Sequence, residues 1–224
     1  MSRARADLTI VQKIDSTGGS AGGELTLRIK GDKARIDASP QVSAIVDGKT
    51  GEIITLMKDQ KRAVRISAHK MKAAAEMLNK FNDKKTAPTS IKPKPTGRKE
   101  TINGYEAEEY SMETPRFKAS FWLVPKFPNG DLILKQLQAT KWEAWNSANP
   151  NMPGYGDLPA LPIRTVVDLG NSKMTTTLVS AKLDPVSEEE FVIPKDFQEI
   201  KTPELGGMLR PEKEETGAGV SPHP

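Results

Sequence analysis

The first 67 residues alternate between apolar and polar positions with a period of two. In "ELTLRIK" the side chains of Leu25, Leu27 and Ile29 share one face, and charged or polar residues share the other. Such alternation is typical of a β-strand with one buried face. The same pattern, separated by Gly- and Asp-bearing turns, predicts six consecutive strands at 7–15, 24–30, 33–38, 42–47, 52–57 and 62–67.

The stretch "DGKTG" at 47–51 contains a Gly-Lys-Thr that could belong to a phosphate-binding loop. That loop requires a glycine five positions before the second glycine, and here the residue is Ser43. The following "EIITLM" is rich in β-branched residues and predicts a strand, where the phosphate-binding loop would continue into a helix. The sequence therefore predicts a plain hairpin turn.

The period changes from two to between three and four in two segments, which predicts two helices. The first runs over 68–82 after a candidate N-cap at Ser67. The second lies within 129–149. The apolar positions of the two segments are Met71, Ala74, Ala75, Leu78 and Phe81, followed by Ile133, Leu134, Leu137, Trp142 and Trp145.

Five more strands are predicted around these helices, at 98–102, 105–112, 116–124, 163–169 and 173–183. The order predicts a mainly β (α+β) fold: a single, strongly curved antiparallel sheet of about eleven strands, a half-barrel, with two helices on its concave face. The predicted domain spans 7–202. It contains an exposed basic connector at 83–97 and is flanked by a flexible N-terminus at 1–6 and a disordered tail at 203–224.

Composition narrows the function classes. The net charge of +4 is mild and concentrates around the Pro- and Thr-rich connector, which holds no aromatic residue that could stack on a base. We therefore expect a solvated linker and no nucleic-acid partner. The chain has no cysteine, and no run approaches the roughly 18 apolar residues of a membrane helix. At most, a peripheral association with a membrane is expected.

No catalytic or metal constellation is evident. The two histidines are His69, beside the first helix, and His223, in the tail. The three carboxylates of "SEEEF" at 187–191 are consecutive, so they diverge and predict a solvated helix start better than an acid/base pair. There is no G-x-S-x-G motif. We expect no enzyme activity, no metal and no cofactor.

Three phrases, in their order and spacing, resemble the bacterial LolA-like half-barrel superfamily, and among its members an uncharacterised branch of envelope proteins. They are "ADLTIVQKID…GELTLRIKGDKARID", "INGYEAEEY" and "LPIRTVVDLGNSKMTTTLVSAKLDPVSEEEFVIPKDFQEI". The third ends in a Phe-x-Ile-Pro-Lys-x-Phe signature. The resemblance implies a cavity, lidded by helices, that holds acyl chains or another hydrophobic ligand. It also implies a periplasmic or secreted protein, on the assumption that a signal peptide has been removed, since "MSRARADLTI" has no apolar segment of its own.

We expect the cavity to be lined by Met71, Met77, Leu78, Phe81, Trp122, Leu134, Leu137, Trp142 and Trp145. Ordinary core packing is the alternative interpretation of the tryptophans. Two functions stay open. One is a monomeric, non-enzymatic protein that binds a lipid or other hydrophobic small molecule, with the 68–82 helix as a mobile lid. The other is an interaction or scaffolding module that binds an envelope protein and fills its cavity with its own helices. A continuous apolar pocket of at least ~300 Å³ would favour the first.

Overall fold

The structure is a computed structural model that describes residues 7–17, 22–73, 92–115, 117–140 and 152–201. Within these ranges it contains twelve strands, two helices and short 3-10 helices at Tyr155–Asp157 and Glu188–Phe191. In chain order the strands and helices are β1 (Leu8–Thr17), β2 (Gly23–Lys30), β3 (Lys33–Asp37), β4 (Val42–Asp47), β5 (Glu52–Met57), β6 (Arg62–Ile66), α1 (described over 68–73), β7 (Lys94–Ile102), β8 (Tyr105–Glu113), β9 (Lys118–Val124), α2 (Gly130–Ala139), β10 (Leu161–Asp168), β11 (Lys173–Lys182) and β12 (Gln198–Lys201).

All twelve strands form one open, curved sheet with the order β12-β6-β5-β4-β3-β2-β1-β11-β10-β9-β8-β7. The predicted mainly β class and the two helices after the sixth and ninth strands are confirmed. Strand β12 was not predicted. It is four residues long and pairs with β6 in parallel, whereas the other neighbours are antiparallel.

The sheet is covered on both faces. Ile45 and Val46 are consecutive in β4 but belong to different buried clusters, as do Phe121 and Trp122 in β9. Consecutive strand residues point to opposite faces, so the clusters lie on opposite sides of the sheet. The main core is the larger cluster, with Val46 and Trp122. It extends across the sheet from β4 to β7, and it includes Ile133 and Leu137 of α2.

The other face is covered by the segment that carries the predicted Phe-x-Ile-Pro-Lys-x-Phe signature. Phe191 is buried against Ile45 and Ile54, and Ile193 and Phe197 pack on the same cluster. The hydroxyl of Ser187 accepts a hydrogen bond from the amide of Glu189 and starts the 3-10 helix. The aromatic residues of the signature thus hold the segment that leads to β12.

Charged side chains near this segment form a network around Asp37. Its carboxylate accepts hydrogen bonds from Arg28, Arg35, Ser43 and Lys58, which connect β2, β3, β4 and the β5–β6 turn. Burial alone would raise the pKa of Asp37, but the hydrogen bonds from Ser43 and Arg35 and the surrounding positive charge lower this pKa to about 2. The carboxylate therefore stays ionised at neutral pH.

The Gly-Lys-Thr at 48–50 is a turn, as predicted. The carboxylate of Asp47 accepts hydrogen bonds from the amides of Lys49 at 2.8 Å and Thr50 at 2.9 Å. Gly51 has a φ of 69°, and a Cβ there would lie 2.9 Å from the Cβ of Ala68. The backbone amides of this loop are thus engaged in turn contacts.

The starts of α1 and β7 lie close to boundaries that the sequence predicts. Ser67 caps α1, since its hydroxyl accepts a hydrogen bond from the amide of Lys70 at 3.4 Å. Strand β7 begins at Lys94, so residues 94–97 of the predicted connector belong to the sheet. The segments 1–6 and 203–224, and the part of the connector up to residue 91, lie outside the described residues.

Candidate functional site

A cleft of about 300 Å³ opens beside the main core, and we term it the apolar cleft. It lies between the β7–β8 turn, the loop that leads into α2, and strands β10 and β11. Its lining residues are Asn103, Tyr105, Phe127, Pro128, Asn129, Ile163, Leu178, Val179, Ser180, Ala181 and Lys182. Seven of the eleven lining residues are apolar or aromatic, and the other four carry amide, hydroxyl or ammonium groups.

One wall depends on the Asn103-Gly104 turn between β7 and β8. Both residues have positive φ, 50° and 81°, as a two-residue hairpin turn of this kind requires. The side-chain Nδ2 of Asn103 donates a hydrogen bond of 2.9 Å to the backbone oxygen of Leu178. This bond fixes the hairpin tip against β11.

A β-bulge shapes the opposite wall. Val11 pairs with Ser180 while Gln12 pairs with Leu178, which leaves Val179 as an extra residue in β11. The side chain of Val179 is 58% exposed although it lines the cleft. The bulge thus presents an apolar side chain at the surface.

The third wall is the short loop before α2. The rings of Tyr105 and Phe127 lie 4.9 Å apart between centroids, at an interplanar angle of 42°. The amide of Gly130 donates a 2.8 Å hydrogen bond to the backbone oxygen of Phe127, and Asn129 adopts a left-handed φ of 55°. A tight turn therefore connects the aromatic pair to the start of the helix.

The apolar cleft is continuous with the main core. Ile163 and Leu178 line the cleft and also belong to the buried cluster that contains Trp122, Ile133 and Leu137. Tyr105 and Phe127 pack against that cluster. A ligand in the cleft would therefore contact side chains of the main core.

The residues predicted from the sequence to line a cavity lie in several places. Trp122 and Leu137 share the main core, and Leu134 is buried in α2. Met71 is half-buried on α1. None of these four lines the apolar cleft. Met77, Leu78, Phe81, Trp142 and Trp145 lie outside the described residues, so the predicted lining stays a prediction.

Sequence reasoning did not single out the residues that line the apolar cleft. Tyr105, Phe127 and Val179 lie next to a turn, in a loop and at a bulge, where side-chain periodicity gives no signal. The available signals were local: the Asn-Gly dipeptide beside Tyr105, and the two prolines that flank Phe127 in "VPKFPNG".

The ring of Trp122 in β9 contacts a charged residue of the edge strand β7. The guanidinium carbon of Arg98 lies 5.5 Å from the centroid of its ring. Arg98 also lies 3.3 Å from the buried carboxylate of Glu109, which accepts a 2.8 Å hydrogen bond from the hydroxyl of Thr96. These contacts hold the edge strand β7 on β8 and β9.

A second cleft, of about 430 Å³, lies on the face covered by the C-terminal segment, and we term it the charged cleft. At its edge the Nε of Arg65 contacts a carboxylate oxygen of Glu199 at 2.6 Å, and its Nη1 contacts Glu52. The hydrogen bond with Glu199 raises the pKa of Arg65. The ion pairs connect β12, β6 and β5, which gives these charges a structural role.

The described residues offer neither a metal site nor a membrane-spanning helix. No group of three or more histidine, cysteine or acidic side chains that could hold a metal ion occurs there. His69 lies exposed on α1. No described helix is long and apolar enough to cross a membrane.

The sequence profile of the family DUF4412, a domain of unknown function, matches residues 10–197. The chain belongs to the DUF4412 family. The matched range includes every strand of the apolar cleft and the Phe-x-Ile-Pro-Lys-x-Phe signature. No curated protein matches this DUF4412 chain.

Solved structures similar to this DUF4412 protein are distant. PNGF-II has 12% identity and a TM-score of 0.41, and the match covers 88% of this chain and 32% of that one. The chain therefore spans about a third of the length of PNGF-II.

Two shorter neighbours are matched over most of their length. One is a domain from Vibrio parahaemolyticus assigned to outer membrane lipoprotein sorting, with 10% identity, a TM-score of 0.33 and coverage of 83% of this chain and 89% of that one. The other is LprF from Mycobacterium bovis, with 15% identity, a TM-score of 0.30 and coverage of 86% and 90%. At identities of 10–15% and TM-scores of 0.41 or below, these likenesses carry no argument about the function of this chain.

Proposed function

We propose that this DUF4412 protein is a non-enzymatic protein of the bacterial envelope that binds a lipid or another acyl-chain ligand in the apolar cleft. The observation that carries the proposal is the cleft itself, which measures about 300 Å³ and is walled mainly by apolar side chains. Small-molecule sites typically begin at about 300 Å³ and combine an apolar lining with a few polar groups.

The walls suit a flexible hydrocarbon chain. Tyr105 and Phe127 offer aromatic surface, and Ile163 and Leu178 connect that surface to the main core. Each methylene moved from water into such surroundings gains about 0.8 kcal/mol. A chain of several carbons would therefore bind without any specific polar contact.

The polar groups stand where a headgroup would lie. Asn129 and Ser180 line the cleft, and the exposed ammonium group of Lys182 adds a positive charge. Trp122 and Leu137, two of the residues predicted from the sequence, belong to the same buried cluster as Ile163 and Leu178 of the cleft wall. In this proposal they belong to the deep end of the site.

The LolA-like resemblance supports a periplasmic or secreted location, and with it a monomer that touches membranes peripherally at most. It also supports two kinds of partner, a hydrophobic small molecule or lipid and a protein of the envelope. These assignments belong to the proposal.

The alternative function is an interaction or scaffolding module of the envelope. Its support is the packing of α2, since Ile133 and Leu137 are each only 1% exposed and share one cluster with Trp122. A helix buried to this extent fills part of the sheet face that a ligand would otherwise occupy.

The experiment that separates the two is a search for bound lipid. Protein purified without detergent is extracted with organic solvent and analysed by mass spectrometry, and cis-parinaric acid is titrated as a fluorescent acyl probe. Ligand binding predicts a stoichiometric lipid, or saturable uptake of about one probe per chain. An empty extract together with absent uptake would contradict it and favour the module.

A further inference from the structure

Strands β10 and β11 pair along part of their length and then separate. Their ladder joins Arg164–Asp168 to Lys173–Thr177. Beyond this ladder β11 continues to Lys182 along β1, and the first residues of β10 pair with β9. Both strands are irregular where they part, β10 at Ile163 and β11 at Val179. We term this separation the fork, and the apolar cleft lies in it, since residues of both strands line the cleft.

The fork opens the sheet, so residues of both of its faces line the apolar cleft. Leu178 belongs to the main core, and Ala181 packs against it. Lys182 pairs with Thr9, whose neighbour Ile10 belongs to the main core. Because consecutive strand residues point to opposite faces and paired residues share a face, Lys182 belongs to the other face. The lining therefore changes from apolar to charged across the sheet.

Lys182 has the one charged side chain among the eleven described residues that line the cleft. It is exposed, and within the described part of the chain its ammonium group has no ion pair or hydrogen bond. Lys173, at the other end of the same strand, pairs with Asp168 at 3.6 Å. The positive charge of Lys182 is therefore available to a ligand in the cleft.

The two ends of this part of β11 differ in polarity. Leu178 is 5% exposed, whereas Lys182, four residues later, is exposed. Four residues of an extended strand span up to about 13 Å. A fatty acid has the same gradient, with hydrocarbon that is stable in the apolar region and a charged head that stays in water.

We propose that Lys182 is the specificity-determining residue of the apolar cleft, and that its ammonium group selects acyl ligands with an anionic head, a carboxylate or a phosphate. The inference rests on the proposed function and adds the charge of the ligand. A lysine attracts an anionic head as a point charge, whereas a neutral ester lacks this attraction. Because water and salt screen an exposed pair, the preference is modest and falls as the salt concentration rises.

The test compares three competitors that share a dodecyl-length chain: dodecanoate, dodecyl phosphate and the neutral methyl dodecanoate. Each displaces cis-parinaric acid at about pH 8, where the acid is ionised, and the affinity of the probe itself is measured for every variant. Lys182→Met removes the charge and keeps an unbranched side chain, and Lys182→Arg keeps the charge. Lys173→Met is the control, since Lys173 lies in the same strand and does not line the cleft.

We expect the unchanged protein, Lys182→Arg and Lys173→Met to bind both anions about three- to tenfold more tightly than the methyl ester at low salt. This preference should shrink towards one at ~1 M salt. Lys182→Met should bind the ester as before and lose the preference, with an unchanged urea midpoint. Lys182→Glu should bind both anions more weakly than the ester. The anion that the unchanged protein binds more tightly identifies the head as carboxylate or phosphate.

Two outcomes would overturn the inference while leaving the proposed function intact. One is a preference for the anions that persists in Lys182→Met and Lys182→Glu, which would place the head away from Lys182. The other is equal binding of the three competitors by the unchanged protein. If the unchanged protein takes up neither cis-parinaric acid nor the methyl ester, the proposed function fails, and the inference fails with it.

Discussion

The side-chain amide of Asn103 donates a hydrogen bond of 2.9 Å to the backbone oxygen of Leu178, 75 residues later in the chain. Asn103 forms the tip of the β7–β8 hairpin, and Leu178 lies in β11 next to the bulge. The hairpin and β11 are not neighbours in the sheet, because β9 and β10 lie between β8 and β11. One bond thus bridges the sheet at the apolar cleft, which both residues line.

This bridge yields a first prediction. Asn103→Gly keeps the left-handed turn, since glycine adopts positive φ without cost, and removes only the side-chain donor. We expect the free energy of unfolding to fall by about 1 kcal/mol. We also expect cis-parinaric acid to bind a few-fold more weakly, because the hairpin wall is no longer tied to β11.

The matched control is Asn171→Gly, in the exposed turn between β10 and β11. It should change the free energy of unfolding by less than about 0.5 kcal/mol and leave probe binding unaltered. Equal effects of the two substitutions, measured by urea titration and fluorescence, would contradict a special role for the bridge.

The Asp37 network predicts a loss of stability in acid. The pKa of Asp37 falls from an ordinary 3.8 to about 2 in the folded protein, so its contribution is complete above about pH 4 and disappears as the pH falls towards 2. Asp37→Asn should lower the free energy of unfolding at pH 7 by on the order of 2 kcal/mol. The difference from the unchanged protein should shrink between pH 4 and pH 2.

Urea unfolding of both proteins from pH 2 to pH 7 measures this difference. Asp15→Asn provides the control, because Asp15 pairs with Lys13 at the surface, where an ion pair contributes little. A gap between Asp37→Asn and the unchanged protein that stays constant over the whole pH range would show that lost packing, and not the ionised carboxylate, explains the effect.

The C-terminal signature predicts a contrast between adjacent residues. Phe191 is 5% exposed and Val192 is 51% exposed. Phe191→Ala should cost about 3–5 kcal/mol, because it leaves a cavity against Ile45 and Ile54. Val192→Ala should cost less than about 0.5 kcal/mol.

Amide hydrogen exchange identifies the strands that the Phe191→Ala substitution destabilises. In Phe191→Ala the amides of β6 and β12 should exchange faster than those of β10 and β11, because Phe191 anchors the segment that brings β12 to β6. Binding of cis-parinaric acid to the folded variant should persist. Its loss would place the ligand on the charged side of the sheet and contradict the assignment to the apolar cleft.

The order of strands could be predicted where a strand buries one face and exposes the other, as β2 does. Leu27 and Ile29 in β2 are buried and their neighbours are not, so the period of two is visible in the sequence. Strand β12 escaped prediction because four residues in parallel at a sheet edge carry no such period. Its position depends on Phe191, whose side chain anchors the preceding segment.

The site was harder to predict than the fold. Trp122 and Leu137 stood out as large apolar groups and do belong to one core, but size alone does not separate core from ligand contact. The walls of the apolar cleft depend on Asn103, which acts through a bond to a distant strand, and on a bulge at Val179. Pairing register decides both features, and register is a property of the folded sheet.

The bulge allows the apolar cleft to be tested without disturbing the core. Val179 lines the cleft and is 58% exposed, so a lysine at this position can keep its charge in water and should alter the free energy of unfolding by less than about 0.5 kcal/mol. The ammonium group would nevertheless stand at the mouth of an apolar site. Met174→Lys is the matched control, because Met174 lies in the same strand, is 43% exposed and does not line the cleft.

We expect Val179→Lys to weaken binding of the uncharged methyl dodecanoate at least about fivefold, since any bound chain must then displace the lysine stem or leave its charge poorly hydrated. Met174→Lys should bind as the unchanged protein does. Displacement of cis-parinaric acid by the ester, measured by fluorescence at equal protein concentration, gives both affinities. If the two lysine variants bind equally well, acyl chains enter the protein elsewhere and the apolar cleft is not their site.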